Sequence, residues 1–268
     1  MDIIRAAEFF SSDHGNITFL HTRVLFRQNA DIFLGHFPGR KSCFQKNEDI
    51  ARLVALQQIT LEMYAPQVVD QFTRVSRYQS EGVYVKRPNL LQFDGTVQLA
   101  NFMVIDMQAC ERLHQSPHLN LARYLGCVEE HGRVTALCFP MYKETLMEKL
   151  NPNGLNKVDF VGTSAAMRLA ASQMYLPRIE QAVRHMHDLG LVHNDINPSN
   201  IMIDSDDNPV LIDFDSCLPS GQPLSGIKRT IGWYDESIEM SIPENDWRAL
   251  EEIKTWLEAS TAQHFSFE

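Results

Sequence analysis

The sequence predicts an α+β chain in two lobes, a β-rich half followed by a mostly helical half. Three observations predict this class: runs of β-formers separated by turn residues, amphipathic runs of helical length, and one short apolar hairpin within the helical half. We place the boundary near Pro140 and expect residues 61–139 to form the smaller lobe and residues 140–268 the larger one. Residues 1–60 are a separate region whose structure the pattern does not define.

The β-rich half is predicted to contain two helices and two hairpins. Helical spacing after a polar cap predicts a helix near residues 47–65, and a threonine cap followed by apolar steps of three and four predicts another over 96–115. Clustered β-formers around glycine-containing turns predict hairpins over 72–88 and 123–139. Residues 18–34 mix both kinds of spacing, so we assign them to neither.

The second half is predicted to be helical around one hairpin. Residues 144–150 have the pattern of a short helix, and residues 166–189 have that of a long one. Pro177 either kinks this long helix or opens a second one. The runs IMI (201–203) and PVLI (209–212) are short apolar strands separated by the polar turn DSDDN.

The formal charge of the chain is negative. Lysine and arginine number 24 against 34 aspartate and glutamate residues, which gives a net charge of −10. Nucleic acids and anionic membranes attract basic protein surface. We therefore expect neither a nucleic-acid partner nor a membrane partner.

The cysteine pattern and the absence of long apolar runs indicate an intracellular protein. The five cysteines are odd in number and show no paired CxxC spacing, which favours reduced thiols over a disulfide framework or a zinc site. Charged residues interrupt the N-terminal stretch, unlike a signal peptide, and no apolar run is long enough to span a membrane. We expect a cytoplasmic or nuclear location.

Polar side chains surround the predicted hairpin between residues 201 and 212. Asn200 precedes it and Asp213 follows it, so the hairpin should bring the two together. An amide oxygen and a carboxylate are hard ligands that suit a Mg²⁺ ion shared with substrate phosphates. Asp195 lies one loop away, where it could accept a proton from an attacking hydroxyl. Asp and Asn are common in turns, but this set at these offsets favours phosphoryl transfer over a purely structural turn.

The motifs HNDINPSN and DFD resemble the HRDxxxxN and DFG motifs of the protein-kinase superfamily. The resemblance extends over about residues 72–250, roughly two thirds of the chain, and the pattern is most similar to short kinase-like proteins of filamentous fungi. It implies a two-lobed protein-kinase-like fold, with ATP and Mg²⁺ as cofactors. It also implies a truncated C-terminal lobe, because the helices that follow the run ENDWRALEEIKTWL in the family have no counterpart here.

The same resemblance implies how the nucleotide is bound. VYVKRP resembles the strand whose lysine holds the nucleotide phosphates, which makes Lys86 that lysine. Asp106 then takes the place of its acidic partner on the following helix, with Glu111 as the fallback. The run LCFPMYKETL resembles the hinge beside the adenine, which assigns Phe139 and Met141 to the nucleotide site.

In the larger lobe, the resemblance implies the residues that carry the chemistry. Asp195 is the candidate base, and Asn200 and Asp213 are the candidate Mg²⁺ ligands. We assign His193 to packing beneath the metal loop. Asp246, on the helix ENDWRALEEIKTWL, matches a buried aspartate that braces the catalytic loop.

Four departures from the family pattern bear on activity. No glycine-rich loop precedes Lys86, which weakens the expected grip on phosphates. Asn194 replaces an arginine used in activation-loop control, and Asp215 replaces a glycine, where it either joins the metal site or caps the next turn. Asn197 replaces a lysine near the γ-phosphate, and losing one such charge costs about 3 kcal/mol, or about 10²-fold in rate.

Three functional hypotheses follow. The first is an ATP- and Mg²⁺-dependent phosphotransferase of the protein-kinase type, slow and acting on Ser/Thr hydroxyls of a protein substrate that the sequence does not identify. The second is a pseudokinase that serves as a nucleotide-binding or scaffolding module, because the glycine-rich loop is missing. The third is a small-molecule kinase of the choline or aminoglycoside type, because HNDxNxxN with IDFD is also similar to the motifs of those enzymes.

Overall fold

The computed structural model describes residues 2–13, 16–76, 78 and 80–267. It divides into two compact units. The first unit consists of Met1–Val69, Arg87–Met103 and Glu129–Ala136. The second unit consists of Asp70–Lys86, Val104–Val128 and Leu137–Glu268.

The N-terminal residues form a four-stranded antiparallel sheet in the order β1-β2-β3-β4. The strands are β1 (Asp2–Asp13), β2 (Asn16–Gln28), β3 (Asp31–Phe37) and β4 (Val54–Ile59). The unassigned residues 18–34 are therefore strand, joined by a tight turn. In β2, three consecutive residues are buried because both faces of the strand are covered, which removes the alternation that identifies a half-exposed strand.

The predicted helix over residues 47–65 is wrong. Only single helical turns occur there, α1 (Lys46–Asp49) and α2 (Leu61–Tyr64), with β4 between them. The edge of β3 supplies β4 with backbone hydrogen-bond partners, and Ile59, 4% exposed, enters the core opposite Ile32. Pairing with a neighbouring strand has overridden the local helical spacing.

Two apolar clusters form the core of the first unit. One contains Leu25, Leu34, Ile59, Leu91, Phe93 and Leu99. The other contains Val24, Phe26, Phe37, Ile50 and Leu53. Successive residues of β2 alternate between the two clusters, as side chains of a strand must.

A second sheet carries the predicted nucleotide-binding lysine. Its strands are β5 (Val83–Lys86), β6 (Gly126–Glu130) and β7 (Arg133–Pro140), in the order β5-β7-β6. The helix α3 (Gln98–Gln115) lies between β5 and β6 in sequence. The predicted helix over 96–115 and hairpin over 123–139 are both confirmed.

The predicted hairpin over residues 72–88 is wrong, as far as its described residues show; residues 77 and 79 lie outside them. Before β5, Arg74 makes an isolated parallel bridge to Cys127 rather than joining a strand. β5 instead pairs with β7, where Lys86 lies opposite Leu137. The edge of a longer, buried strand is a better partner than a short polar segment.

The helical elements of the second half follow the prediction closely. A two-residue strand, β8 (Glu144–Thr145), leads into α4 (Leu146–Leu150), and α5 (Lys157–Phe160) precedes α6 (Ala165–Asp188). Pro177 lies inside α6, so a single helix runs through it.

The remaining elements frame the predicted hairpin. β10 (Ile201–Ile203) pairs antiparallel with β11 (Pro209–Leu211), which confirms the hairpin. The short strands β9 (Leu191–Val192) and β12 (Leu218–Pro219) pair with each other on either side of it in sequence. The last long helix is α7 (Pro243–Glu258). None of the five cysteines forms a disulfide, and no helix of the described residues has the length and apolarity to cross a membrane.

Candidate active site

Asp246 of α7 holds the loop between β9 and β10 through hydrogen bonds to the loop backbone. The carboxylate, in a residue only 1% exposed, accepts backbone hydrogen bonds from His193 (2.9 Å) and Asn194 (2.8 Å). His187 of α6 lies 2.8 Å from the same carboxylate. Asn194 has a φ of 65°, in the left-handed region, so the two N–H groups can point to one carboxylate. A buried helix aspartate therefore sets the course of the loop that carries Asp195.

The Asn194 side chain is used entirely within the protein. Its Nδ2 donates to the carbonyl oxygens of Val192 (3.0 Å) and Ser216 (3.1 Å) and to Oγ of Ser241 (3.1 Å). Its Oδ1 accepts from Asn245 at 2.9 Å. The amide carries no charge and its polar atoms bond to other groups of the protein, so this position offers no cation to a phosphorylated residue.

Asp195 is held by residues from two parts of the chain. Oδ1 accepts from the backbone N–H of Thr230 (2.7 Å) and from Nδ2 of Asn197 (3.4 Å). Oδ2 accepts from the Thr230 hydroxyl (3.1 Å) and from Nδ2 of Asn200 (3.2 Å). Burial raises the pKa of Asp195 despite the two bonds from Thr230, which favour the charged form. The carboxylate is thus oriented and more basic than an exposed aspartate.

Thr230 is a site residue that the sequence analysis missed. It lies 35 residues after Asp195, in a stretch without regular secondary structure, and no local pattern marks it. Its side chain also accepts from Asn197 at 3.1 Å. Only the position of RTIGWY between DFD and α7 could have drawn attention to it.

Lys86 lies between two carboxylates. Its Nζ is bonded to Asp106 of α3 and, at 2.5 Å, to Asp213. Asp106 is only 3% exposed. Glu111, the fallback partner, instead accepts from the N–H (2.7 Å) and hydroxyl (2.9 Å) of Thr73. The structure therefore places Asp106, and not Glu111, beside the lysine.

The three carboxylates around Lys86 carry more charge than one lysine neutralises. Burial opposes the charged form of Lys86, but Asp106, Asp213 and Asp215 together outweigh it and hold its pKa well above the ordinary value. Burial also works against Asp213, yet the ammonium group keeps its pKa lowered. Burial and the Asp213 charge raise the pKa of Asp215 to about 6. A cluster with surplus negative charge is suited to an added cation.

The hairpin brings the predicted metal ligands to one end of β10 and β11. The backbone N–H of Ile212 donates to the carbonyl oxygen of Asn200 at 2.9 Å, so Asp213 follows directly from that contact. Asn200 commits its Nδ2 to the carboxylate and backbone oxygen of Asp195, which leaves Oδ1 as its ligand atom. Among the described residues, no three His, Cys, Asp or Glu side chains are grouped as a metal site. The donor set Asn200, Asp213 and Asp215 fits a Mg²⁺ ion that takes its other ligands from phosphates and water.

A cavity of about 420 Å³ adjoins Lys86 and Asp213. Its size is within the range for a nucleotide-sized ligand. Phe139 is buried and lines it, and Met141, 62% exposed, lies at its edge. The other apolar walls come from Tyr84, Ala122, Pro140, Met202 and Ile212. The cavity thus has largely apolar walls, with the charged side chains of Lys86 and Asp213 among its lining residues.

His193 is buried beneath this end of the hairpin. Its Nε2 lies 3.0 Å from the carbonyl oxygen of Ile212, and its ring meets Phe214 edge-on at 5.7 Å. These contacts are those of a packing residue that ties the catalytic loop to the residues around Asp213.

Three features of the site are those of a kinase-like α+β fold. Lys86 of a sheet pairs with carboxylates, and a hairpin carries Asn200 and Asp213 at its ends. A buried helix aspartate, Asp246, holds the loop that carries Asp195. The chain belongs to the protein kinase family: the model described as "Protein kinase domain" matches residues 86–232, just over half of its length. The match begins at Lys86 and includes every residue of the candidate site that lies between β5 and α7.

Curated relatives match shorter stretches. The chain is 33% identical over 73 residues to serine/threonine-protein kinase MRCK gamma of Homo sapiens, covering 27% of this chain and 4% of that protein. It is 27% identical over 131 residues to a dual serine/threonine and tyrosine protein kinase of Strongylocentrotus purpuratus, covering 46% and 13%. It is 31% identical over 90 residues to 3-deoxy-D-manno-octulosonic acid kinase of Vibrio cholerae, covering 34% and 33%. The chain thus spans a third or less of the length of each.

Proposed function

We propose that this protein transfers the γ-phosphoryl group of ATP to serine or threonine hydroxyls of a protein, with Mg²⁺ as the metal ion. The observation that supports this most directly is the sharing of Lys86 between Asp106 and Asp213 at the mouth of an apolar cavity. A nucleotide bound in this cavity would have its phosphates beside both Lys86 and the proposed metal ligands.

On the nucleotide side, the base enters between the apolar walls that include Phe139 and Met141. Lys86, kept protonated by its carboxylate neighbours, contacts the phosphates. Asn200 and Asp213 would hold Mg²⁺ through their side-chain oxygens, with Asp215 as a further ligand. The ion, when bound, neutralises charge on the transferred group.

On the acceptor side, Asp195 orients the incoming hydroxyl and takes its proton. The hydroxyl oxygen then bonds to the γ-phosphorus, and the bond from that phosphorus to the departing ADP oxygen breaks. The raised pKa of Asp195 helps this step, because a more basic carboxylate accepts the proton more readily. Thr230 keeps the carboxylate in place through its N–H and hydroxyl.

Slow turnover is part of the proposal. Asn197 contributes an amide rather than a charge beside Asp195 and Thr230. An absent charge donor costs about 10²-fold in rate. The stretch YAPQVVDQFTRVSRYQ before β5 contains no glycine, so the phosphates lack a close backbone cradle on that side.

The domain organisation is also proposed. We assign residues 61–139 to the smaller kinase lobe and residues 140–268 to the larger one, and we assign residues 1–60 to neither. The family match from residue 86 supports this assignment for the central part of the chain. The N-terminal four-stranded sheet lies outside the matched residues.

The decisive experiment measures radiolabelled γ-phosphate transfer by the wild type beside Asp195→Asn and Lys86→Met. Lys143→Met is the matched control, because Lys143 is an exposed lysine that contacts Glu144 and not the site. We expect transfer by the wild type and the control, and at least about 10²-fold less by the two site variants. Wild-type transfer no faster than that of Asp195→Asn would exclude the proposed function.

A small-molecule acceptor is the second candidate. The supporting observation is the similarity to the Vibrio cholerae protein, a kinase named for a sugar acid, which covers a larger share of its relative than the other two matches do. The test is a panel of acceptors: 3-deoxy-D-manno-octulosonic acid, choline, an aminoglycoside and a generic protein. Label only on a small molecule would replace the protein acceptor in the proposal.

A further inference from the structure

Lys157, the first residue of α5, has a side chain only 18% exposed and no part in the site described above. Its Nζ is bonded to the carboxylate of Glu252 on α7. The same Nζ donates to the carbonyl oxygens of Gly232 (2.6 Å) and Phe267 (3.1 Å). An ammonium group has three protons, so each of these acceptors can take one. A single cation thus ties α5, α7, the loop after Thr230 and the C-terminal residues together.

Glu252 is fully buried, and Lys157 is mostly buried. The Glu252 side chain is 0% exposed and also accepts from the backbone N–H of Ser266 (2.9 Å) and Phe267 (3.4 Å). The Lys157 ammonium lies 4.6 Å from the ring centroids of both Trp233 and Phe265. Burial lowers the pKa of Lys157, although Glu252 opposes the shift. A buried ion pair contributes little net stability compared with apolar side chains of similar size. We therefore expect this pair to have a role other than stability.

The contact with Gly232 connects the pair to the candidate base. Gly232 has a φ of 84° and follows Thr230 by two residues. The N–H and hydroxyl of Thr230 both bond to the Asp195 carboxylate. On the other side of Thr230, Arg229 Nε donates to the carbonyl oxygen of Asn194 at 3.2 Å. Thr230 is therefore held between two anchored neighbours in a stretch without helix or strand.

We propose that Lys157 is a positioning residue for the phosphoryl-transfer step: through Gly232 it fixes Thr230, and through Thr230 the orientation of Asp195. The inference rests on the proposed function for its kinetic consequence but not for its structural one. It assigns the Lys157–Glu252 pair to the acceptor side of the site, because the contact of Lys157 with Gly232 leads to Thr230, which bonds to Asp195.

The structural test uses Lys157→Met combined with Glu252→Met, which removes both charges and leaves neither buried alone. We expect this variant to fold, because paired apolar replacement of a buried ion pair is often neutral. Hydrogen exchange of the peptide containing the Thr230 amide should then be about 10-fold faster, whereas exchange in β10 and β11 should match that of the wild type. Lys149→Met, which removes a 3.0 Å ion pair with Asp207 in the same unit, should leave that exchange unchanged.

The kinetic test separates positioning from nucleotide binding. The double variant should lose about 10- to 100-fold in kcat, as expected for a displaced catalytic group, with the Kd for ATP within about twofold of wild type. The loss should largely vanish in a Thr230→Ala background, because the two sites then act through one route. Lys157→Arg, which keeps a cationic donor, should recover part of the rate.

The outcomes separate the two proposals. Unchanged exchange at Thr230 in a folded double variant overturns the positioning role, whether or not the wild type transfers phosphate. Faster exchange with an inactive wild type supports the positioning of Thr230 and rejects the proposed function. If the double variant does not fold, Lys157→Met with Glu252→Gln takes its place, and failure of both to fold assigns the pair to stability alone and overturns the inference.

Discussion

At the scale of single residues, the acidic partner of Lys86 shows how a substitution can keep a contact. Asp106 has a shorter side chain than the glutamate usual in the family, yet it reaches the ammonium because α3 places it facing β5 within the same unit. Cys110, one helical turn later, lies 3.5 Å from the other carboxylate oxygen. The pair depends on where the helix lies rather than on side-chain length.

Asp106→Asn should weaken nucleotide binding more than folding. Burial raises the pKa of Asp106, and Lys86 keeps Asp213 as an ion-pair partner, so the loss of unfolding free energy should be smaller than the roughly 3–5 kcal/mol of a buried pair that leaves one charge alone. Lys86 would then keep its ion pair with Asp213 only, and we expect the Kd for ATP to rise about 10-fold. Urea unfolding and ATP titration measure the two effects.

Glu111→Gln is the matched control for that experiment. It removes a carboxylate from the same helix, one that bonds to Thr73 and not to Lys86. Its Kd for ATP should equal that of the wild type. Equal weakening in both variants would mean that α3 acts through its position alone.

Asn197→Lys should make the protein faster and less stable. The Asn197 side chain accepts from the N–H of Ser199 at 2.9 Å and caps the turn Pro198–Asn200, a contact worth about 1 kcal/mol that lysine loses. A lysine there adds a charge near the γ-phosphate, and kcat should rise by up to about 10²-fold. Melting curves measure the loss of stability, and initial rates measure the gain in kcat. Asn197→Ala should lower stability without raising the rate.

Within the site, local pattern predicted contacts only where residues flank a hairpin, and the contacts of Lys86 and Asp246 were expected from the family resemblance. Asn200 and Asp213 were expected to lie together because a hairpin brings its ends together, and the hairpin is present, with the Ile212 N–H bonded to the Asn200 carbonyl oxygen. Thr230 and Lys157 were missed, since their contacts with Asp195 and Gly232 depend on how a stretch without regular structure crosses the unit. No local spacing encodes such contacts.

At the scale of elements, whether a segment could be predicted depended on which of its faces are buried. The long helices α3 and α6 were predicted because each has one buried stripe, which their sequences display at helical spacing, whereas α7 was expected only from the family resemblance. β2 and β4 were not predicted. β2 is covered on both faces, and β4 buries only Ile59, so neither shows the alternation of a strand with one buried face.

The N-terminal sheet should be sensitive to acid. His21 of β2 and His36 of β3 have ring centroids 4.0 Å apart, and burial lowers the pKa of both, with Arg23 adding to the effect. Because the unfolded chain then binds more protons, stability is complete above the ordinary histidine value of 6.5 and is lost as pH falls below it. Urea unfolding at several values between pH 5 and pH 8 measures this loss.

The variant His21→Gln with His36→Gln isolates this contribution. His118 in the second unit has a pKa lowered by burial as well, and it remains in the variant. The loss of stability between pH 7 and pH 5 should be smaller in the variant than in the wild type. An identical loss in both proteins would show that protonation of His21 and His36 does not cause the loss of stability between pH 7 and pH 5.

At the scale of the whole molecule, the net charge of −10 conflicts with binding a polyanion such as ATP. The conflict is resolved locally, since Lys86 offers a fixed positive charge and the carboxylates near it favour a divalent ion. Nucleotide affinity should therefore depend strongly on Mg²⁺, and the protein should bind ATP weakly without it.

Ligand-induced stabilisation distinguishes a catalyst from a binding module. At free ATP–Mg²⁺ about 100-fold above Kd, binding should add about 2.7 kcal/mol of stability, which is roughly 5–10 °C for a chain of this size. Lys86→Met should lose most of this shift, whereas Asp195→Asn should keep it and lose phosphate transfer, because the proposed function assigns Asp195 to the acceptor and Lys86 to the nucleotide. A full shift in the wild type without any transfer would make the protein a nucleotide-binding module of the pseudokinase kind. An equal shift in Lys86→Met would place the nucleotide somewhere other than the cavity beside this lysine.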